Sequence, residues 1–501
     1  MSQSSKPTRR HFLRSAVMTA SGLILLNGCA KAPSDRTASE PVTDSRALSD
    51  RDTQWAAQAV VDALESPTIP DAEYRLSLFN LHEHEDCATL INAQIQACHD
   101  QGGGRVTIPA GLYRTSAIHM RSRVELHLES GAELSFIADP QRYLPAVLSR
   151  WEGMALWNYS PLIYAVDCED IAITGTGVIN GNADDQTWWP WKGAHSSAHW
   201  DVMPGISQKP ARDRLQLQVE GDVPVAERRY GEGDYLRPPM IQLMRCRRIL
   251  IEGVTLKDAP FWLIHPVLCT DVTVRGVTCQ SHGPNSDGCD PESCNRVLIE
   301  QCVFDTGDDC IAIKSGRNDD GRRFATPSEN IVIRDCVMRA GHGGVVIGSE
   351  ISGGVRNVFV ERCEMSSPDL ERAVRIKTNS VRGGLLENLH YRDINVGVVR
   401  DFLVINFYYE EGDQGSHDPL VRDIFLSNFR VGKAQRVFQV RGFQRAPIVN
   451  LNLDNILIQD SAALGVIEHV DGLSMHAVRM ADREILVGDF SNPGSQSTGD
   501  T

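Results

Sequence analysis

Two adjacent aspartates, Asp308 and Asp309, are the residues of this sequence whose types and placement most directly suggest chemistry. They follow a glycine in the stretch FDTGDDCIAIKSG, at the start of an apolar run that leads to Lys314. A carboxylate placed against a protein core is costly unless it is paired or takes part in a reaction. The pair therefore predicts a functional site, provided that the fold brings other polar residues to it.

Short segments that alternate apolar and polar residues predict the elements that hold these aspartates. VLIEQCVF, IVIRDCVM and VFVERCEM begin at residues 297, 331 and 358, and similar segments begin at 171, 249, 272, 389, 424 and 451. From 249 onward the starts are 23 to 35 residues apart, which suits one coil of a stacked solenoid. The period-two alternation excludes a helical solenoid, and most intervals are too short for a four-stranded propeller blade. The sequence therefore predicts a parallel β-helix.

The repeats also predict what lies inside the solenoid and what closes its end. Cys302, Cys336 and Cys363 share the sixth place of their repeats, so we expect a ladder of small buried side chains rather than a metal site. A short capping helix should precede the first coil and cover the open core, with Asp86 as its N-cap. The residues expected on its apolar face are Leu90, Ile91, Ile95 and Cys98.

The register of the repeats brings further polar residues to the aspartates. Asp308 and His342 each lie eleven residues after the start of their own repeat, so the histidine should sit one coil above the aspartate. Asp287 in GPNSDGCD belongs to the equivalent turn one coil earlier. Arg375 and Lys377 in RAVRIKTN lie one coil later and point the same way if the residue between them points inward. Six polar residues on four successive coils therefore form one outward stripe.

Carboxylates that lie close together are typical of glycoside hydrolysis, in which one carboxyl group must hold a proton and another must stay ionised. The arginine and the lysine of the stripe suit an anionic sugar, because both bind carboxylates. The segments NSDG, GDD, GHG and RIK, in this order, resemble the signature of glycoside hydrolase family 28, the polygalacturonases. GGGRVTIPAGLY and ITGTGVINGN are similar to the early coils of that family, so the resemblance runs from about residue 80 to 460. One departure is Ser286, where the family usually has threonine.

The resemblance implies a right-handed parallel β-helix and hydrolysis of α-1,4-galacturonosyl linkages in pectin by an inverting mechanism. By motif position, Asp308 is the general acid, Asp287 and Asp309 position and deprotonate water, and His342 tunes the acid. The implied substrate-binding residues are Arg375, Lys377, Asn285, Lys314 and one tyrosine of INFYYEEGD, either Tyr408 or Tyr409, with Tyr409 preferred. No metal or other cofactor is implied. Inversion needs a water between acid and base, with about 6.5 to 9.5 Å between the carboxyl groups.

Several alternatives stay open at the level of sequence. An endo-acting polygalacturonase or a rhamnogalacturonan hydrolase would share the signature, whereas a pectate lyase would need calcium and a non-catalytic glycan-binding β-helix would need no paired acids. The insertion between the repeats at 171 and 249 contains WWPWKGAHSSAHW and is expected to be a long loop over the cleft. A second insertion, GRNDDGRRFATPSEN, follows the acid pair. Both resemble the exo-acting bacterial members, although Trp188, Trp189 and Trp191 could equally be packing residues.

The N-terminal region has the features of an export signal. TRRHFLRSA resembles a twin-arginine export signal, and LNGC resembles a lipobox, so residues 1–29 are predicted to be a signal with a lipidated Cys29. Residues 30–75 are predicted to be a flexible tether, 76–485 the catalytic β-helix and 486–501 a disordered tail. The protein is expected to be exported to the periplasm or the cell surface, as a monomer that contacts a membrane only through this anchor.

Composition and charge limit the classes of partner that the protein could bind. The chain of 501 residues has 42% hydrophobic and 23% charged residues, which is typical of a globular protein with a real core. Its formal net charge of −15 argues against a nucleic-acid partner. It does not exclude an anionic ligand such as a pectic polysaccharide or an oligogalacturonide, because a local basic cleft can lie in an acidic protein.

Overall fold

The alternating segments pair with one another as parallel strands, in the register that the repeats predict. In the computed structural model, which describes residues 50–77, 86–196 and 198–490, the segment at 297 pairs with those at 272 and 331. The same ladder continues through 358, 389, 424 and 451. The predicted parallel β-helix is therefore confirmed. The predicted signal, including Cys29, the tether as far as residue 49 and the tail from 491 lie outside the described residues.

Each coil contributes strands to three faces. The first face contains Glu73–Arg75, Gly104–Ile108, Val124–Leu128, Glu169–Gly175, Arg247–Glu252, Thr270–Arg275, Asn295–Glu300, Ser328–Arg334 and Val355–Glu361. The second contains Gly111–Thr115, Ala132–Phe136, Val178–Asn180, Thr255–Lys257, Thr278–Ser281, Val303–Thr306, Val337–Ala340 and Glu364–Met365. The third contains Ile118–His119, Ile163–Val166, Ile241–Met244, Ile264–Val267, Ile311–Ile313, Val345–Ile347 and Arg372–Lys377.

The last coils are built from longer strands that continue around the corners. These strands are Leu385–Asn406, Leu420–Arg441, Ile448–Glu468 and Val470–Met480. Two antiparallel pairs are added to the solenoid, Val147–Trp151 with Met154–Asn158, and Arg483–Glu484 with the last long strand. The alternation of each strand points its apolar residues inward, which fills one continuous core along the solenoid.

The cysteine ladder and the capping helix are confirmed. Cys302, Cys336 and Cys363 are buried on successive coils, and the twelve cysteines of the described chain are free thiols. A helix over Ala88–Asp100 buries Ile91, Ile95 and Cys98 against the first coils. Its N-cap is Cys87 and not the predicted Asp86, although the Ala88 backbone N–H donates to Asp86 Oδ1 at 2.9 Å. Leu90 was expected on the apolar face but is exposed.

Three stretches that the sequence assigns to irregular structure contain helices. Residues 50–75 are not all tether, because helix Asp50–Asp62 packs its Ala57 against the first face and strand Glu73–Arg75 begins the solenoid. The segment 181–238 is an insertion rather than a coil, since the strands at 171 and 249 pair directly. The strands at 297 and 331 also pair directly, so the segment 316–330 is an insertion as far as residue 327, where strand Ser328–Arg334 follows. They hold helices Lys209–Glu220 and Asn318–Phe324.

The described ranges also contain four single turns of 3₁₀-helix. They span Pro140–Tyr143, Trp189–Lys192, Val225–Glu227 and Val487–Phe490. The last of them lies at the start of the predicted tail. None of the helices in the described ranges combines the length and the apolar character that crossing a bilayer requires.

Candidate active site

The predicted polar stripe lies where the chain turns from the second face to the third. Asp308 and Asp309 follow strand Val303–Thr306, and their turn continues into strand Ile311–Ile313. Arg375 and Lys377 lie on the outer surface of strand Arg372–Lys377, because Ile376 between them is fully buried in the core. Parallel pairing stacks these turns, so the four coils present their polar side chains on one side of the molecule.

Asp308 and His342 form an ion pair across neighbouring coils. Nδ1 of His342 lies 3.0 Å from Oδ1 of Asp308, and the backbone N–H of His342 donates to the carbonyl oxygen of Asp308 at 3.0 Å. The negative charge of Asp308 raises the pKa of His342 to about 9. Burial alone would raise the pKa of Asp308, but the charge and the hydrogen bond of His342 outweigh it and lower that pKa. At neutral pH the pair therefore holds one proton, on the histidine.

Asp309 is held by the two cations of the stripe. Its carboxylate is fully buried and accepts from Nη1 of Arg375 at 3.2 Å and from Nζ of Lys377 at 2.6 Å. Burial favours the neutral acid, but these positive charges outweigh burial and lower the pKa of Asp309. Asp309 is therefore ionised, and the remaining N–H groups of Arg375 and Lys377 stay available to a ligand in the cavity.

Asp287 has the opposite electrostatic environment. Burial, together with the nearby charges of Asp290 and Asp308, raises its pKa well above the ordinary value. Asp290 lies behind it, fully buried, and burial raises the pKa of that carboxyl to about 8. Lys314 reaches both carboxylates and also Glu350, at 3.3 to 3.5 Å. Asp287 can therefore hold a proton at a pH at which Asp309 cannot.

Carboxylate oxygens of Asp287, Asp308 and Asp309 lie within 4.8 Å of one another. These closest approaches are shorter than the separation of about 6.5 to 9.5 Å between whole carboxyl groups that is typical of inverting enzymes. A trio of oxygens at this distance could also hold a cation. Here, however, Lys377 and Arg375 already bind both oxygens of Asp309, so a metal ion would have to compete with two fixed positive charges.

The structure distinguishes the two candidate tyrosines. The ring of Tyr409 lies 5.6 Å from the Arg375 guanidinium and 5.4 Å from the Lys377 ammonium, and it lines the same cavity. Tyr408 is exposed and packs its ring against Phe443 instead. Tyr409, which the sequence favours without separating it from its neighbour, is therefore the tyrosine of the site.

The stripe forms one wall of a cavity of about 520 Å³, and the insertions form the other. Asn285 and Lys314, both predicted to bind substrate, line it, but the ammonium of Lys314 is already surrounded by carboxylates. Lys192, His195 and Arg212 from segment 181–238 also line it. The sequence did not reveal these three, because the segment has no repeat register that could place its side chains.

The tryptophans of the first insertion are mainly packing residues. Trp188 and Trp189 are buried; Trp188 packs its ring on Tyr143 and on Trp191, and Nε1 of Trp189 donates to the carbonyl oxygen of Ala259. They fix the segment to the solenoid, which leaves Lys192 directly after them at the cavity wall. Trp200 of this segment and Trp262 of the solenoid also line the cavity, and the ring of Trp262 lies 4.4 Å from the Lys314 ammonium.

Comparison with known proteins gives the family of the chain. The model of the glycosyl hydrolases family 28 matches residues 229–475. A solved structure entitled a hyperthermoactive exopolygalacturonase from Thermotoga maritima is 40% identical, with a TM-score of 0.78, over 86% of this chain and 97% of that one. A polygalacturonase of Ralstonia nicotianae is 29% identical, over 72% of this chain and 69% of its own. An exo-poly-alpha-D-galacturonosidase of Dickeya chrysanthemi is 25% identical, over 62% of this chain and 52% of its own. The chain is a glycoside hydrolase and belongs to glycosyl hydrolases family 28.

Proposed function

We propose that this enzyme hydrolyses α-1,4-galacturonosyl linkages of polygalacturonate from the end of the chain, with inversion at the anomeric carbon. The observation that carries the proposal is a cavity in which paired acids face cations. Among the described residues that line it, six are lysine or arginine and five are aspartate or glutamate, in a protein whose net charge is −15. His342 adds a positive charge, and Asp287 can be neutral, so the cavity suits a polyanion.

The positive charges of the cavity also account for delivery of a proton to the leaving oxygen. Arg375 and Lys377 contribute to the low pKa of Asp308. A substrate carboxylate that binds beside them offsets part of their positive charge, so the pKa of Asp308 rises when substrate arrives. The proton that His342 holds in the free enzyme can then move to Asp308, which donates it to the leaving oxygen. Asp309, ionised and fixed, positions the attacking water together with Asp287 and accepts its proton, while the water oxygen bonds to the anomeric carbon and the glycosidic C–O bond breaks.

Chain-end action is supported by the insertions. Hairpin 147–158 and segment 181–238 contribute Glu152, Lys192 and Arg212 to one side of the cavity. Beyond His342 on the other side, a second cavity of about 760 Å³ extends along the outer turns. A polymer could therefore lie in the second cavity while its end enters the first. The neighbour at 40% identity is also entitled an exopolygalacturonase.

Product analysis tests this function. We expect polygalacturonate to yield monogalacturonate from the earliest times on an anion-exchange column, with Asp308→Asn as the inactive control. A ladder of intermediate oligomers would indicate endo action. Proton NMR of the first products should show the β-anomer, and initial formation of the α-anomer would contradict inversion.

We also propose that the protein is exported and anchored to lipid at Cys29, as a monomer. The sequence features TRR and LNGC support this, and so do twelve buried free thiols, which suit a chain that folds before it meets an oxidising compartment. Mass spectrometry of the mature N-terminus should find acylated Cys29, and Cys29→Ser should release the protein from membranes. Light scattering of the released enzyme should give about 50 kDa if it is a monomer of the mature chain.

A further inference from the structure

We propose that Lys192 binds the carboxylate of the galacturonosyl residue that occupies the end of the cavity covered by segment 181–238. The inference rests on the proposed function and deepens it, because it names a residue that selects the charged terminal sugar. Lys192 ends the short 3₁₀-helix Trp189–Lys192, whose tryptophans are fixed against the solenoid. Its ammonium therefore enters the cavity from a rigid support.

The cations that line the cavity differ in their partners. Five have a carboxylate oxygen within 4.0 Å, namely Lys209, Arg212, Lys314, Arg375 and Lys377. Lys192 is the exception among the described residues: its hydrogen bond goes to the neutral Oδ1 of Asn285, at 3.0 Å. One positive charge of the cavity wall thus lacks a counter-ion, and a carboxylate from the substrate can supply it.

Lys192 is half-buried, and its partial burial makes this position costly without a ligand. Burial lowers the pKa of Lys192, although the negative charges of Glu152 and Asp308 act in the opposite direction. A desolvated ammonium gains more from a carboxylate partner than an exposed one does, because the local dielectric is low and the cost of removing water is already met. Lys192 and Asp308 line the same cavity, so a carboxylate bound to Lys192 would lie in the cavity that contains the catalytic acid.

Asn285 and Arg237 fix the direction of the lysine. Nη2 of Arg237 donates to the same Oδ1 of Asn285 at 2.8 Å, so two cationic donors orient the amide. Arg237 is fully buried and also donates to the backbone carbonyl oxygens of Pro260 and Pro284. Asn285, which the sequence predicts to bind substrate directly, thereby acts through Lys192 as a positioning residue.

Lys192 lies outside the part of the chain that matches the family model, which begins at residue 229. The four signature segments that form the catalytic stripe lie within that part. The lysine therefore belongs to the insertion, and its removal should weaken recognition of the terminal carboxylate while the catalytic carboxylates remain in place.

The test compares Lys192→Met and Lys192→Arg with Arg229→Met. Arg229 is exposed on the same segment, over the ring of Trp157 and away from the residues lining the cavity, so its substitution removes an equal charge. The substrates are trigalacturonide and two derivatives, each with one terminal carboxyl group converted to its methyl ester. Thermal melting of each variant checks that the fold is retained.

We expect Lys192→Met to raise KM for trigalacturonide about 10- to 100-fold, which corresponds to loss of a hydrogen bond to a charged group. Lys192→Arg should retain most of the affinity, and Arg229→Met should match the wild type. The wild type should disfavour one of the two esters, and Lys192→Met should lose that preference. An unchanged KM, or an ester preference that survives in Lys192→Met, would overturn the inference.

Binding to the Asp308→Asn background separates this inference from the proposed reaction. Calorimetry with trigalacturonide should show the same 10- to 100-fold weakening when Lys192→Met is added. If the wild type binds trigalacturonide but does not hydrolyse it, the proposed reaction is wrong, and the calorimetric comparison still decides the role of Lys192. Equal affinities with and without Lys192→Met would overturn that role even if the enzyme is fully active.

Discussion

His342 contacts Asp308 twice, through the backbone hydrogen bond that joins neighbouring coils and through its imidazole at 3.0 Å. The backbone hydrogen bond is part of the pairing between coils, and the imidazole contact is the one through which a proton can pass to the carboxylate. Because the coil-to-coil bond fixes the distance between the two residues, the solenoid itself holds the imidazole within reach of the acid. The proton of the pair is therefore shared between two strictly positioned groups.

Substitution of Asp308 by asparagine should abolish hydrolysis while leaving the fold and ligand binding largely intact. Asparagine keeps the size of the side chain but has no proton to donate to the leaving oxygen. We expect a rate below a few per cent of the wild type on trigalacturonide, with a protein that still unfolds cooperatively and still binds trigalacturonide. A variant that retains a larger fraction of activity would contradict the role of Asp308 as the acid.

Substitution of His342 by alanine should lower the rate and move the basic limb of the pH–rate profile to lower pH. In the wild type the pair keeps its proton until the pH reaches the pKa of His342, about 9. In the variant the proton must reside on Asp308 itself, and Arg375 and Lys377 still lower the pKa of that carboxyl. The measurement is kcat/KM against pH on trigalacturonide.

The matched control for this variant is His476→Ala, which removes an exposed histidine paired with Asp454. It should leave both limbs of the profile unchanged. If His342→Ala gives the wild-type profile, the pair does not share the catalytic proton.

The ion pair also makes stability depend on pH: a raised histidine pKa contributes stability that is complete below about 6.5 and is lost as the pH rises through about 9.

The catalytic stripe could be predicted because the same rule that builds the solenoid also places its side chains. An equal offset of eleven residues from a strand start puts Asp308 and His342 in equivalent turns, and the observed pairing follows that offset. Arg375 and Lys377 followed from strand alternation around a buried residue in the same way. In a periodic fold, residues at the same offset within their repeats therefore occupy equivalent positions in space.

The rest of the cavity could not be predicted, for the same physical reason. Lys192 and Arg212 come from segment 181–238, where tertiary packing of tryptophans, and no period, decides where each side chain points. The pairing of Asp309 with both cations was also missed. The sequence placed Arg375 and Lys377 on the stripe for a substrate carboxylate, without showing that a buried aspartate of the protein already binds them.

A chelator should have no effect on activity. The three aspartates could form a cation site by distance, but Asp309 is neutralised by Arg375 and Lys377 and Asp308 by His342. We expect equal rates on polygalacturonate with EDTA and with added calcium, and no product with the ultraviolet absorption of the unsaturated products of a lyase. Loss of activity in EDTA would contradict this reading of the aspartates, and an absorbing product would contradict hydrolysis.

Substitution of Lys377 by methionine should destabilise the protein as well as slow it. The ammonium lies 2.6 Å from a fully buried carboxylate, and removal of one partner from a buried ion pair typically costs about 3–5 kcal/mol of the free energy of unfolding. Lys433→Met is the control, because Lys433 pairs with Asp460 at the exposed surface, where such pairs contribute little. Chemical denaturation at neutral pH should therefore distinguish the two variants.

The destabilisation caused by Lys377→Met should depend on pH in a defined direction. In the wild type Lys377 and Arg375 lower the pKa of Asp309, so the pair contributes stability above the ordinary aspartate pKa of about 3.9. That contribution is lost as the pH falls through the lowered pKa of the folded state. In the variant Arg375 is the remaining partner of Asp309, so the pKa of Asp309 rises and protonation relieves the less compensated charge at a higher pH. The difference in unfolding free energy between wild type and variant should therefore be largest near pH 7 and shrink as the pH falls below about 4. A difference that stays constant over this range would show that Lys377 stabilises the fold through packing, and not through Asp309.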